Sequence, residues 1–406
     1  MPRGPRLIAA PVGTTLTLFM ALGVLLFAAP AATPASPTPI RIGFLNQQRG
    51  TNIFPENSAA AHAARDYINA KLGGINGRPL KLIDCYTDGS PEASINCANT
   101  FVAAKVVAVL TGVDVGSDAA LPILNKAHIP FVGPLAIGSA QSVSNDAFFF
   151  GPPSEASVAA AMKSMAQRLH VKSVAAILQD TVPTRTSLIP RGVDPAAKHL
   201  NLKVTTVLLD AANPDYTQAV TTALVAQPDA LIMLSDETDC TRLIAVIRQL
   251  HYGGYVFSVG CEAYVTADPK DAEGVFAVSR LWVRSALAGA PKDKIAEVKL
   301  YDAQMAKDAP QYAKTQGAER TFAATMNLAN VLRRITKPIT PARVLDQLRN
   351  TRNLPGFMGE PITCDRKQWP GQPSACAGGV LLFRIHAGAP RAFSKGYIYP
   401  ADVVGP

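Results

Sequence analysis

Several chemistries are missing from this chain. Among its 6 histidines and 6 cysteines there is no C-x-x-C pair and no His/Cys cluster at zinc spacing, which lowers the case for a metal site. The patterns G-x-S-x-G, G-x-G-x-x-G after a strand, G-x-x-x-x-G-K-S/T and H-E-x-x-H are absent, and no histidine pairs with an acid or a cysteine at a catalytic spacing. These absences do not touch active sites assembled from distant residues. The formal charge is +9, but the lysines and arginines are dispersed and form no block interleaved with aromatics. The surplus therefore reads as a solvated face, not a nucleic-acid footprint. Beyond the first 36 residues, no run resembles a transmembrane helix.

What is present begins at the N-terminus. Arg3 and Arg6 precede the apolar run Leu16 to Ala29, and small residues follow from Ala29 to Ala31. Charge, apolar core and small residues in that order predict a cleavable secretory signal peptide over residues 1–36 and an exported, periplasmic or secreted protein. The run is shorter than the roughly 20 residues that span a bilayer comfortably, which leaves an uncleaved anchor as the lesser alternative. Without Arg3 and Arg6 the charge of +9 falls by two, which at most favours an anionic ligand. An oxidising compartment permits disulfides, and the six cysteines suggest three local pairs, Cys85 with Cys97, Cys240 with Cys261 and Cys364 with Cys376.

From Ile40 onward, strand-like and helix-like segments alternate, punctuated by Gly, Pro, Asn and Asp. This alternation predicts an α/β fold with parallel sheets and crossover helices. One series runs from the strand Ile40 to Leu45 to the strand Ile129 to Val132; a second begins after Phe148, Phe149 and Phe150 and repeats the pattern to Val259. The expectation is two similar doubly wound lobes, since the chain is longer than one compact core usually holds. Three later helical stretches, Asp293 to Lys307, Gln316 to Ile335 and Pro341 to Thr351, need a sheet to cover and are expected to return to the first lobe.

The stretch Val106 to Ile137 organises the candidate site. Two apolar runs end at Thr111-Gly112 and Gly133-Pro134, and the first is followed by a polar loop carrying Gly116 and Ser117. In open α/β sheets ligands bind beyond the carboxyl ends of the strands, where a helix start offers backbone N–H groups to an anion. Ser117 suits a carboxylate contact and equally an N-cap for a helix beginning at Asp118. Phe54, Tyr216, Tyr252 and Tyr264 are the aromatics placed to line a cleft, whereas Phe148 to Phe150 suit packing at a crossing between lobes.

The segment Tyr67 to Leu80, reading YINAKLGGINGRPL, together with Asp88, Pro91, Cys97 to Asn99 and the strand Val106 to Thr111, resembles the type I periplasmic solute-binding proteins of the leucine/isoleucine/valine group. The resemblance extends from about Ile40 to the C-terminus. It implies two lobes joined by a three-segment hinge, with residues 40–148 and about 281–360 in one and 149–280 and about 361–406 in the other and the hinge return. It also implies closure on a small solute, delivery to an ABC-type membrane permease, a monomer, and neither a cofactor nor an enzymatic activity. Carried over by position, the ligand groups are Gly116, Ser117, Leu135, Ala136 and Ile137 from the first lobe and Asp236, Glu237 and Glu262 from the second, with Glu262 holding a ligand ammonium. The hydroxyl residue usual near Ile137 is missing, and Ser139 lies two positions on. The expected solute is a branched-chain or other hydrophobic amino acid, with an aliphatic or aromatic carboxylate as the alternative. A transport receptor, an exported ligand sensor and a hydrolase or lyase using the same cleft are the function classes to be separated.

Overall fold

Apolar runs stopped by Gly, Pro or Asp form the strands, and alanine-rich stretches of helical period form the helices that cover them. The computed structural model describes residues 37–50, 53–260, 264–283, 287 and 289–405. The first series is β1 (Ile40–Gln47), α1 (Pro55–Lys71), β2 (Leu80–Thr87), α2 (Pro91–Ala103), β3 (Val109–Thr111), α3 (Leu121–Lys126), β4 (Phe131–Gly133), α4 (Ser139–Val143) and β5 (Ala147–Phe149). Its five strands form one parallel sheet in the order β2-β1-β3-β4-β5.

The second series is α5 (Ser154–Arg168), β6 (Ser173–Asp180), α6 (Asp194–Leu200), β7 (Lys203–Asp210), α7 (Tyr216–Leu224), β8 (Ala230–Leu234), α8 (Glu237–Gln249), β9 (Tyr255–Val259), α9 (Tyr264–Ala267) and β10 (Phe276–Ser279). Taken from β7, the second sheet runs β7-β6-β8-β9-β10, the same winding as the first. Then follow α10 (Lys292–Asp308), α11 (Gln316–Arg333), α12 (Pro341–Arg349), β11 (Leu381–His386) and β12 (Ala389–Ala392). The last two strands extend the second sheet antiparallel, beyond β10.

Both sheets are covered on two faces. In the first, Ile42, Phe44 and Leu110 pack in one core with Ala60, Ala64 and Ile68 of α1 and Phe322 and Met326 of α11. The opposite face carries Leu45, Val109 and Phe131 with Phe101 of α2 and Leu124 of α3. In the second sheet, Ile177 and Met233 pack with Val220 of α7 and Leu243 of α8. Val174, Ala176 and Ile232 face Val158 and Met162 of α5. Strand residues alternate between the two cores, as a period of two requires. The late helices do cover the first sheet: the Asn57 and Thr321 side chains join α1 to α11, and the Tyr301 and Phe322 rings of α10 and α11 meet edge to face at 5.2 Å.

Three local details differ from the sequence expectation. The helix expected from Asp118 opens as a 3-10 turn, Ser117–Ala120, and the α-helix begins at Leu121, with Pro122, which has no N–H to donate to the preceding turn, in its first turn. Phe148 and Phe149 belong to the parallel edge strand β5, and the Phe149 N–H donates to the Ser374 carbonyl at 2.9 Å, so a C-terminal segment closes that edge. The hairpin β11–β12 adds an antiparallel edge to a sheet expected to be parallel.

Cys85 pairs with Cys97 and Cys364 with Cys376, as their spacing suggests. Cys240 is disulfide-bonded, and Cys261 lies outside the described residues. No described helix is long and apolar enough to cross a membrane.

Candidate functional site

A winding of 2-1-3-4-5 leaves a crevice at the carboxyl ends of its strands, where neighbouring connections depart to opposite faces. In this chain the two sheets contribute to one cleft of about 610 Å³. The first series supplies Phe54 and Asn57 after β1, Val113 after β3 and Ile137 after β4. From the second come Gln179 near the end of β6, Leu234 to Asp236 at the end of β8, Val259 and Gly260 at the end of β9, and Arg280 after β10. Tyr312 and residues Thr315 to Gly317 with Arg320, at the start of α11, complete it.

The first-lobe wall is held by buried amides. Asn46 is fully buried, donates to the Phe54 carbonyl at 2.8 Å and accepts from the Val113 N–H at 3.0 Å, tying two cleft loops together. Asn57 is best satisfied when its nitrogen donates to the Gly317 carbonyl at 2.8 Å, which fixes the start of α11 against α1. Gly112 is required here: a Cβ on it would lie 2.3 Å from Asn46 Oδ1 and 2.8 Å from Asn57 Cβ.

Behind this wall lies a buried polar knot. Asp114 accepts from Thr87 Oγ1 at 2.9 Å, Ser94 Oγ at 2.6 Å and the Gly116 N–H at 3.2 Å. Burial pushes its carboxyl above the ordinary value, against those hydrogen bonds. Ser117 is also buried; its hydroxyl donates to the Asp114 carbonyl and accepts from Gln141 Nε2 at 2.8 Å. A Cβ on Gly116 would lie 2.6 Å from the carbonyl oxygens of Gly89 and Ser90, so this loop packs directly on its neighbour. Neither Gly116 nor Ser117 lines the cleft.

Of the other residues carried over by position, Leu135 is buried, Ala136 packs beside the α2–α3 core, and Ile137 reaches the cleft. The Ile137 N–H donates to Gln141 Oε1 at 3.2 Å. Asp236 lines the cleft and caps α8, accepting the Asp239 N–H at 2.8 Å. Glu237 opens α8. Glu262, assigned to a ligand ammonium, lies outside the described residues, as do the side chains of Glu237 and Tyr264. Among the aromatics, Phe54 lines the cleft, whereas the Tyr216 hydroxyl donates to Asp239 and the Tyr252 hydroxyl to the Pro228 carbonyl, each at 2.8 Å. Burial and Asp239 push the Tyr216 phenol up to about 12.

Sequence reasoning missed Arg280, Arg320 and Tyr312. Arg280 is only 8% exposed. Its Nε donates to the Pro152 carbonyl at 3.1 Å and its Nη2 to Ser154 Oγ at 3.3 Å, and among the described residues no carboxylate pairs with it. Burial, with the nearby Arg320 charge, pushes its guanidinium down to about 9, opposed by the field of Glu155. It remains a cation at neutral pH. Its position directly after the buried strand Phe276–Ser279 is the signal that marks it.

The described residues hold no cluster of His, Cys, Asp or Glu suited to a metal ion. An apolar cleft with a few convergent polar groups, lined from two sheets joined by several crossings, defines a two-lobed ligand-binding protein. The chain belongs to the family described as periplasmic binding protein, whose model matches residues 39–379. No curated protein matches its sequence.

Solved structures share the fold at low identity. The leucine binding protein LivK of Thermotoga maritima is 16% identical, with a TM-score of 0.70 over 89% of this chain and 99% of its own. LivJ of Streptococcus pneumoniae, a branched-chain amino acid transporter substrate binding protein solved with isoleucine, is 16% identical, with a TM-score of 0.69 over 87% and 98%. A fatty acid ABC transporter substrate-binding protein of Thermomonospora curvata is 14% identical, with a TM-score of 0.73 over 91% and 95%.

Proposed function

We propose that this protein is an exported solute receptor that takes a small carboxylate-bearing molecule between its lobes and delivers it to an ABC-type membrane permease. The observation that carries the reading is the cleft itself, to which the carboxyl ends of both sheets contribute. One lobe comprises residues 40–148 and about 281–360; the other comprises 149–280 and about 361–406. Gly116 and Ser117 act indirectly in this reading, by holding the loop that presents Val113. Ile137 and Asp236 meet the solute directly.

The cleft suits a molecule with an apolar body. Ile53, Phe54, Val113, Ile137, Leu234 and Val259 present aliphatic and aromatic surface, enough to cover a side chain such as that of leucine or isoleucine. Hydrophobic amino acids are the first candidates, in line with what LivK and LivJ are named for. Aliphatic or aromatic acids without an amino group are a second reading, favoured by the apolar loop Leu135 to Ile137. Binding drives closure only by favouring the closed form.

Isothermal titration with recovery of the unchanged solute tests this reading. Saturable one-to-one binding with the solute intact supports a receptor; conversion of the solute to product sinks it in favour of an enzyme. Loss of uptake in a strain lacking the protein separates transport from sensing.

A further inference from the structure

Arginine is seldom buried without a partner, because its charge loses hydration that only an anion or a dense set of acceptors restores. Arg280 is such a residue. Among the described residues its acceptors are one carbonyl and one hydroxyl, and Nη1 has none. It lines the cleft, and Arg320 lies close enough to depress its charge. Ser154, which also faces the cleft and accepts from Arg280, opens the 15-residue helix α5, so the positive end of a helix dipole adjoins the same place.

A buried cation, a second cation and a helix start converge there, and among the described residues no carboxylate pairs with the first. Asp236 and Glu56 also line the cleft, but Asp236 is exposed and caps α8, and Glu56 lies beside Gly317 at the start of α11. We propose that Arg280 is the carboxylate-binding residue of the cleft, assisted by Ser154 and Arg320, and that the ligands are organic acids whose apolar part lies against Phe54, Val113, Ile137 and Val259. The inference rests on the receptor reading and moves the anion contact from the first-lobe loops to the strand end after β10. A planar guanidinium with donors to spare donates to both carboxylate oxygens, which a lone hydroxyl cannot do.

The charge should therefore be obligatory for binding. The test uses the full mature protein, freed of co-purified solute by unfolding and refolding, and titrates it with two sets of probes. The first contains leucine, isoleucine, 4-methylpentanoate, octanoate and phenylacetate; the second contains the matching amides. Binding of at least one acid with its amide bound about thirtyfold or more weakly is expected. In Arg280→Gln the preferred acid should lose about thirtyfold or more, whereas Arg280→Lys should recover part of the loss by restoring a point charge without the fork. The circular dichroism melt of each variant shows whether it is folded; if Arg280→Gln fails to fold, the Arg280→Lys comparison and the acid-to-amide ratio on wild type carry the test.

Equal affinity for acid and amide, or an unchanged affinity in a folded Arg280→Gln, overturns the proposal. A neutral or cationic solute identified by mass spectrometry of the purified protein also overturns it, while leaving the receptor reading intact. Failure of the purified protein to carry or bind any solute overturns both.

Discussion

The Nε of Arg280 donates to the carbonyl of Pro152 at 3.1 Å, joining the end of β10 to the crossing between β5 and α5. One side chain thus links two of the connections between the sheets and faces the cleft between them. Ligand contact and the geometry of the crossing meet in a single guanidinium.

A buried cation with no carboxylate partner among the described residues is a cost carried for binding, so its removal should separate stability from affinity. Arg280→Met keeps the apolar stem, loses two hydrogen bonds worth about 1 kcal/mol each and relieves the desolvation of the charge. The unliganded melting temperature should stay roughly at the wild-type value, whereas the upward shift on adding the preferred acid should vanish. A ligand-induced shift of wild-type size in this variant would show that the cation is not used.

Gly112 transmits packing to the cleft wall. In Gly112→Ala the new methyl group meets Asn46 Oδ1 and Asn57 Cβ, so the loop at Val113 must move. The expected cost is about 1–3 kcal/mol in stability. Affinity should weaken as well, although residue 112 touches no ligand; chemical denaturation and titration on the same sample measure the two effects.

Asp114 predicts a pH dependence with a definite sign. Its carboxyl is raised in the fold by burial, so its contribution to stability is present below the ordinary carboxylate value and is lost as pH rises through the folded value. Asp114→Asn keeps a polar group of the same shape without the charge. The melting temperature of the variant minus that of wild type should therefore rise as pH increases from the ordinary carboxylate value of about 4. A difference flat with pH would mean that the hydroxyls of Ser94 and Thr87 fully offset burial of the charge.

The bond between Cys85 and Cys97 ties the end region of β2 to α2 across a separation of 12 residues. Replacing both cysteines with alanine should cost about 3 kcal/mol, mainly by freeing the unfolded chain. Urea unfolding of the double variant measures this, and binding by the protein that remains folded should be little changed.

Much of the fold is legible in the sequence because parallel strands buried on both faces leave unbroken apolar runs, such as Ala230 to Leu234, between helices of period 3.6. Short edge strands are not: β5 is three residues, Ala147 to Phe149, and looks like an aromatic crossing until the C-terminal segment pairs with it. The candidate site is legible only in part. Ile137 and Asp236 follow strands and are found by the strand-end rule. Ser117 obeys the same rule, but its hydroxyl turns inward to Asp114 and Gln141. The start of α11 lies far along the chain from α1, and packing between the two helices, including Asn57 against Gly317 and Thr321, brings it to the cleft. Arg280 carries no motif, and its meaning comes from burial with no carboxylate paired to it among the described residues.

The most direct measurement is a crystal structure of the protein with the acid it binds best. The account predicts the solute in the cleft, its carboxylate oxygens about 2.7–2.9 Å from nitrogens of the Arg280 guanidinium and its apolar part against Phe54 and Ile137. A solute bound elsewhere, or one in the cleft whose carboxylate points away from Arg280, would contradict it.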